Sequence, residues 1–319
     1  MFLCVCVSVF ACVYVCMLAC SLVRVCCHVY YDACRMERPE HSRLLALNKL
    51  GIVKEYERIS ERTVLIVGVG GIGSVVAEML VRCGIGKLIL FDYDTVDVEN
   101  MNRMFYRRDQ IGMLKVDAAK NTLEALEGGK IEVFNGNITS VEMLEILREN
   151  AQKSDLIVSC VDNYTARITL NKLCCDLGLV WFESGVSETG INGHVQLIRP
   201  GIDACFNCAP PTVVAENLNE FENRAGVCTA SLATTMSIVA GILVQNILKY
   251  FLSFGTTVNN CIGYNGLTDY FPLMHIQRNP DCYVCGHLPY IVASVAKTSK
   301  DEPVAHHVNN EWDIQLVTE

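Results

Sequence analysis

The sequence is short of positive charge. Lys and Arg together number 26 against 35 Asp and Glu, a formal net charge of -9. A chain with that balance has no electrostatic footprint for nucleic acid or an anionic membrane, so neither is an expected partner. Internal repeats are also absent, which excludes solenoid and propeller architectures. The first 23 residues contain no charged residue, so no basic segment precedes the apolar run as it would in a secretory signal; Arg24 follows it.

What fills that first stretch is cysteine and valine. Eight of the eighteen cysteines lie in the first 34 residues: Cys4, Cys6, Cys12, Cys16, Cys20, Cys26, Cys27 and Cys34. The run is long enough to cross a bilayer, and a signal anchor is one reading. The other is a translated GT dinucleotide repeat, because TGT and GTG codons alternate as Cys and Val. Met36 then opens a segment of ordinary soluble composition, MERPEHSRLLALNKLGIVKEY. The second reading is favoured, and residues 1–35 are set apart from the fold. The remaining cysteines are scattered in a chain too long to be a disulfide-stapled secreted domain, which predicts reduced thiols and a cytoplasmic protein.

The rest of the chain alternates short apolar runs with helical spacings. Thr63–Val69, KLILFDYD, IEVFNGNI, Asp155–Asp162 and LVWFESGV read as strands. Helices are predicted over 74–82, 115–126, 141–150, 165–177 and 234–252, after a helical or irregular lead-in over 44–62. In the last helix Met236, Val239, Leu243, Ile247 and Phe251 recur near 3.6-residue spacing among other apolar residues, so it is a buried element. GHVQLIRPG is read as an antiparallel continuation. This pattern predicts an α/β fold: a doubly wound, Rossmann-like, mostly parallel sheet with helices on both faces.

The first strand runs into Gly68-Val69-Gly70-Gly71-Ile72-Gly73-Ser74, and the second ends at Asp92. Glycines there allow a sharp turn and a close approach of phosphate to main-chain N–H groups; an acidic residue after the second strand suits ribose hydroxyls. Taken alone, the fingerprint fits NAD as well as ATP. Arg103 and Lys115 shift the balance to ATP, since hydride transfer does not require two cations suited to phosphate oxygens. A carboxylate and an amide, Asp162 and Asn163, follow the next strand at the edge where such sheets bind ligands. A carboxylate there can hold the Mg²⁺ that accompanies ATP.

Two CxxC pairs, Cys205/Cys208 and Cys282/Cys285, carry a different chemistry. Each knuckle offers two thiolates, and two knuckles complete a closed tetrahedral Zn²⁺ site that ties distant segments together. Unliganded thiols or a redox pair are the competing readings, and nearby His287 is a conceivable fourth ligand. Cys160, Cys174 and Cys175 fall inside strand or helix patterns and read as core. So would Cys228 from composition alone, although it precedes a helix whose N–H groups could stabilise a thiolate.

The strings IVGVGGIGS, LFDYD, ENMNRMF, GMLKVDAA and SCVDN together resemble the adenylation domain shared by ubiquitin-like activating enzymes and bacterial sulfur-carrier adenylyltransferases. The likeness runs from about Leu47 to Cys285. It implies ATP contacts at Gly71, Asp92, Lys115, Asn137 and Asn163, with Arg103 and Asp162 as phosphate and Mg²⁺ partners. GVCTASLATTM resembles the family's catalytic segment, which implies that Cys228 is the thioester-forming nucleophile; Ala233 stands where the family usually has proline. The resemblance further implies ubiquitin-fold modifier 1 as the substrate, transfer to its conjugating enzyme, and a homodimer. The closing segment 310–319, with Trp312, Ile314 and Leu316, resembles the family's modifier-interacting segment, which also binds autophagy-related ubiquitin-like proteins. Domain boundaries follow: a leader over 1–35, the adenylation domain over 36–285, and a flexible tail over 286–319. A sulfur-carrier adenylyltransferase without an obligatory thioester is the alternative function.

Overall fold

The computed structural model describes residues 42–126, 129–209, 230–257 and 261–289. Its strands form one eight-stranded sheet in the order β3-β2-β1-β4-β5-β6-β7-β8. The strands are β1 (Thr63–Val67), β2 (Lys87–Asp92), β3 (Lys130–Asn135), β4 (Leu156–Ser159), β5 (Trp181–Val186), β6 (Asn192–Ile198), β7 (Cys261–Asn265) and β8 (Leu273–Met274). The first five are parallel, and β6 to β8 continue the sheet antiparallel. The described helices are α1 (Ser42–Lys49), α2 (Gly73–Arg82), α3 (Lys115–Glu124), α4 (Val141–Ala151), α5 (Tyr164–Leu177) and α6 (Ala233–Leu252).

The central strands are continuous apolar runs because both faces of the sheet are covered. In β1 the pleat sends Val64 and Ile66 to one core and Leu65 and Val67 to the other. The first core is closed by α2, α3 and α6; the second by α4 and α5. Met236, Val239, Leu243, Ile247 and Phe251 of α6 are all buried, as their spacing predicts. That helix is long and apolar enough to cross a membrane, yet most of it packs inside the protein.

The sheet thus has the predicted doubly wound plan, with small shifts at element ends. The predicted strands shorten where their last residues leave the ladder to form loops: Val69 is already in the glycine turn, and Asp162 lies beyond β4. Sequence reading also missed β7 and β8. The lead-in resolves into α1 and a 3-10 turn over Tyr56–Glu61. The strand order reverses direction of winding between β1 and β4, and α/β folds bind their ligands outside the strand ends at such a point.

Candidate functional site

At that point the β1–α2 turn is held tightly. Gly68 has φ +88, and a Cβ there would fall 2.6 Å from the Cys160 carbonyl oxygen. A Cβ at Gly71 would fall 2.0 Å from Met236 Sδ, so α6 leans directly on the turn. The turn opens into α2; the Ser74 N–H there donates to the Gly70 carbonyl at 3.2 Å, and the positive end of the helix favours an anion.

Around it lies a cavity of about 220 Å³. Its lining includes every nucleotide residue proposed from the sequence: Gly71, Asp92, Arg103, Lys115, Asn137, Asp162 and Asn163. Asp92 is fixed at the end of β2: Oδ2 accepts from the Val69 N–H at 2.6 Å and Oδ1 from the Asp94 N–H at 2.9 Å. Burial raises its pKa above the usual carboxylate range, against the opposing pull of those hydrogen bonds and of Lys115. Lys115, the first residue of α3, is buried, and its Nζ lies 2.7 Å from Asp94 Oδ2. Arg103 follows a 3-10 turn over Val98–Asn102, and its Nε is buried with no hydrogen-bond partner among the described residues.

The two asparagines have local jobs as well. Asn163 Oδ1 caps α5 by accepting from the Ala166 N–H at 2.8 Å. Asn137 Oδ1 accepts from the Thr139 N–H at 3.0 Å and from its hydroxyl at 2.8 Å, shaping the loop after β3. Asp162 is exposed at the cavity mouth.

Sequence reading missed Glu188, Ser231 and Arg167, which share the lining. Glu188 follows the carboxyl end of β5, so the same strand-edge rule that singled out Asp162 would have found it. Cys160 also faces the cavity, but burial pushes its thiol up to about 12, so at neutral pH it stays protonated and is a poor nucleophile.

The four knuckle cysteines converge as expected. Their Sγ atoms all lie within 4.8 Å of one another. Cys205 and Cys282 are 3.7 Å apart, Cys208 and Cys285 3.4 Å, and Cys205 and Cys208 3.8 Å. Two polar groups address the sulfurs: Asn171 Nδ2 donates to Cys205 Sγ at 3.5 Å and the Asn279 N–H to Cys208 Sγ at 3.4 Å. His287 is not part of the cluster.

Cys228 and the tail residues Trp312, Ile314 and Leu316 lie outside the described residues, as does the leader over 1–35. The chain just after Cys228 is described. Ala230 and Ser231 line the cavity; the Ala230 N–H donates to the Glu188 carbonyl at 2.9 Å, and Asn102 Nδ2 donates to Ser231 Oγ at 2.9 Å.

A glycine turn, a fixed carboxylate and two cations at the switch point of a doubly wound sheet define a nucleotide-binding α/β protein. Known proteins narrow that class. The sequence model of the ThiF family matches residues 41–284. Ubiquitin-like modifier-activating enzyme 5 of Drosophila willistoni is 51% identical over 298 residues, covering 88% of this chain and 73% of that protein. The Xenopus laevis protein of the same name is 49% identical, covering 88% and 75%. Among solved structures, E. coli MccB with ATP is similar at a TM-score of 0.61 and 21% identity, covering 72% of this chain and 68% of that one. PaaA is similar at 0.64 and 23%, covering 76% and 83%; at that identity the likeness concerns the fold. The chain belongs to the ThiF family and, within it, to the ubiquitin-like modifier-activating enzyme 5 group.

Proposed function

We propose that this enzyme uses ATP to adenylate the C-terminal glycine of a ubiquitin-like modifier, then holds the modifier as a thioester on Cys228. The observation that carries the reading is that Arg103, which lies against Gly70 and Gly71, and Lys115 line one cavity with Asp92. Kinship to activating enzymes over 88% of the chain supports it. Ubiquitin-fold modifier 1 is the substrate we assign, on the resemblance of the motifs.

In the first half-reaction the modifier's carboxylate oxygen attacks the α-phosphorus of ATP, and the bond to pyrophosphate breaks. Asp92 would orient the ribose, while Lys115 and Arg103 offset charge on the phosphate oxygens. Lys115 begins paired with Asp94, so phosphate exchanges one anionic partner for another rather than meeting a bare buried cation. Asp162 and the exposed face of Asp94 are the carboxylates suited to hold Mg²⁺, which supplies further charge neutralisation. In the second half-reaction Cys228 Sγ attacks the acyl carbon, AMP departs with the carbonyl–phosphate bond pair, and the thiol proton passes to solvent. A conjugating enzyme's cysteine then receives the modifier.

The cysteine cluster fits a structural Zn²⁺. Four thiolates about 2.3 Å from one tetrahedral ion stand roughly 3.8 Å apart; the sulfurs here lie from 3.4 Å to within 4.8 Å of one another, a spread that brackets that value. The ion would be held by Cys205, Cys208, Cys282 and Cys285, and would tie the segment after β6 to the segment after β8. Residues 36–285 would form the adenylation domain and 286–319 a tail. Trp312, Ile314 and Leu316 would bind the modifier, and autophagy-related ubiquitin-like proteins, as an added edge strand. We further assign the active form as a homodimer and its location as the cytoplasm.

The test is ATP-dependent adduct formation with a panel of purified modifiers, read on gels with and without reductant. A reductant-sensitive adduct with ubiquitin-fold modifier 1, lost in Cys228→Ala, is the expected result. Pyrophosphate release with no adduct would replace it with the sulfur-carrier reading.

A further inference from the structure

Beside the cavity, a charged side chain is buried where the nucleotide chemistry does not directly use it. Arg167, in the first turn of α5, is 4% exposed; Glu183 of β5 is fully buried, and His194 of β6 is 4% exposed. Arg167 Nε lies 3.0 Å from Glu183 Oε1, and His194 Nε2 contacts Glu183 Oε2. The Arg167–Glu183 contact is poorly aligned for a hydrogen bond, so it is chiefly Coulombic. The well-formed hydrogen bond of the guanidinium goes elsewhere: Nη2 donates to the Val161 carbonyl at 2.9 Å.

Val161 immediately precedes Asp162 and Asn163, and these three residues line the cavity together with Arg167. We infer that Arg167 is a positioning residue of the nucleotide site: it fixes the β4–α5 turn so that Asp162 faces the phosphates, with Glu183 and His194 holding the guanidinium in place.

Three features support this assignment. First, the guanidinium has one available pose. A Cβ at Gly185 of β5 would fall 2.6 Å from Arg167 Nη2 and 2.9 Å from His194 Cε1, so the side chain lies flat over a residue that has to be glycine. Secondly, the turn has little else to hold it. Asp162 and Asn163 are exposed, and their neighbourhood is tied by the Asn163 cap and an Arg167 N–H contact of 3.3 Å to the Asn163 carbonyl. Thirdly, buried ion groups are a poor way to gain stability, since apolar residues of similar volume often serve as well; in some proteins what they contribute is the choice of one arrangement. The charge of Arg167 is matched by Glu183, which leaves Nη2 to act on the Val161 carbonyl rather than on substrate.

The inference rests on the reading of Asp162 as the Mg²⁺ partner, and the experiment separates the two. Modifier-dependent ATP–pyrophosphate exchange is measured against ATP and Mg²⁺ concentration for the full chain and for Arg167→Lys, Glu183→Gln and Asp162→Asn, with melting curves for each. Arg167→Lys keeps the charge but cannot reach both Glu183 and Val161. It should raise the KM for ATP and the Mg²⁺ half-saturation roughly fivefold or more, the scale of one lost hydrogen bond, while kcat changes less. Combined with Asp162→Asn it should add little, because both act on one turn. Unchanged constants alongside a lowered melting temperature would overturn the proposal and leave Arg167 a purely structural residue. If Asp162→Asn itself leaves Mg²⁺ dependence untouched, the Asp162 reading fails, and the Arg167 assignment is decided by the KM for ATP. Should Arg167→Lys fail to fold, Glu183→Gln frees the guanidinium with its shape intact. The same KM rise is then expected, and its absence contradicts the assignment.

Discussion

The cysteine cluster and the nucleotide cavity are built in opposite ways. In the cluster, four sulfurs face one another at contact distances, and the small core around them consists of little more than Cys175, Val284 and the partly buried Leu288. Such a core buries too little apolar surface to fold by itself, and four converging thiolates repel unless a cation sits between them. The cavity keeps its charges apart and balanced. Lys115 is paired with Asp94, and Asp92 is held by one N–H donor on each oxygen, with acceptor capacity to spare, on a frame of two full hydrophobic cores. On the zinc reading proposed above, one region would depend on its ligand to exist, and the other can wait for it. That difference separates residues that hold the molecule together from residues that work on a substrate.

Removing a cluster sulfur should break the comparison most visibly. Cys282→Ser is expected to reduce bound zinc from about one per chain to near zero and to lower the melting temperature by more than about 10 °C, because binding free energy at such sites is folding free energy. Elemental analysis with calorimetry checks both. Lys115→Met should do the reverse. Pyrophosphate exchange should fall roughly a hundredfold, the scale of one lost charge stabiliser, while melting shifts by only a few degrees.

Acid stability gives a third, smaller contrast. Burial pushes the Glu183 pKa up, but His194 and Arg167 more than offset this and hold it below its ordinary value of 4.5. A carboxylate depressed in the folded state contributes stability above its unfolded pKa and loses it as pH falls through the folded value. Glu183→Gln should accordingly flatten the acid limb of a melting-temperature profile below about pH 4.5. The smallest effect concerns Asn102, whose bonds to Ser231 are exposed. Asn102→Ala should slow thioester formation a few-fold with little change in pyrophosphate exchange, separated by single-turnover gels.

Much of this was legible in the sequence, for identifiable reasons. Parallel strands buried on both faces read as unbroken apolar runs, so β1, β2, β4 and β5 were visible, and the glycine turn and Asp92 sit at fixed offsets from them. The knuckles were visible because their spacing encodes their geometry. β7 and β8 were hidden: CIGYN mixes cysteine, glycine and asparagine with no clean alternation, and β8 is only two residues long. Arg167 was hidden because a lone arginine in a helix resembles a surface charge, and only the fold brings Glu183 and His194 from two other strands to meet it. Glu188 was within reach of the strand-edge rule, two residues past Val186 at the end of β5, but in GVSETG it reads as a turn residue unless that rule is applied.

The most direct test of the whole account is modifier-dependent ATP–pyrophosphate exchange by the wild-type chain and by Cys228→Ala, each with ubiquitin-fold modifier 1. The account predicts exchange in both proteins and a thioester in the wild type alone. Exchange that does not require the modifier's C-terminal glycine, or no exchange in either protein, would contradict it.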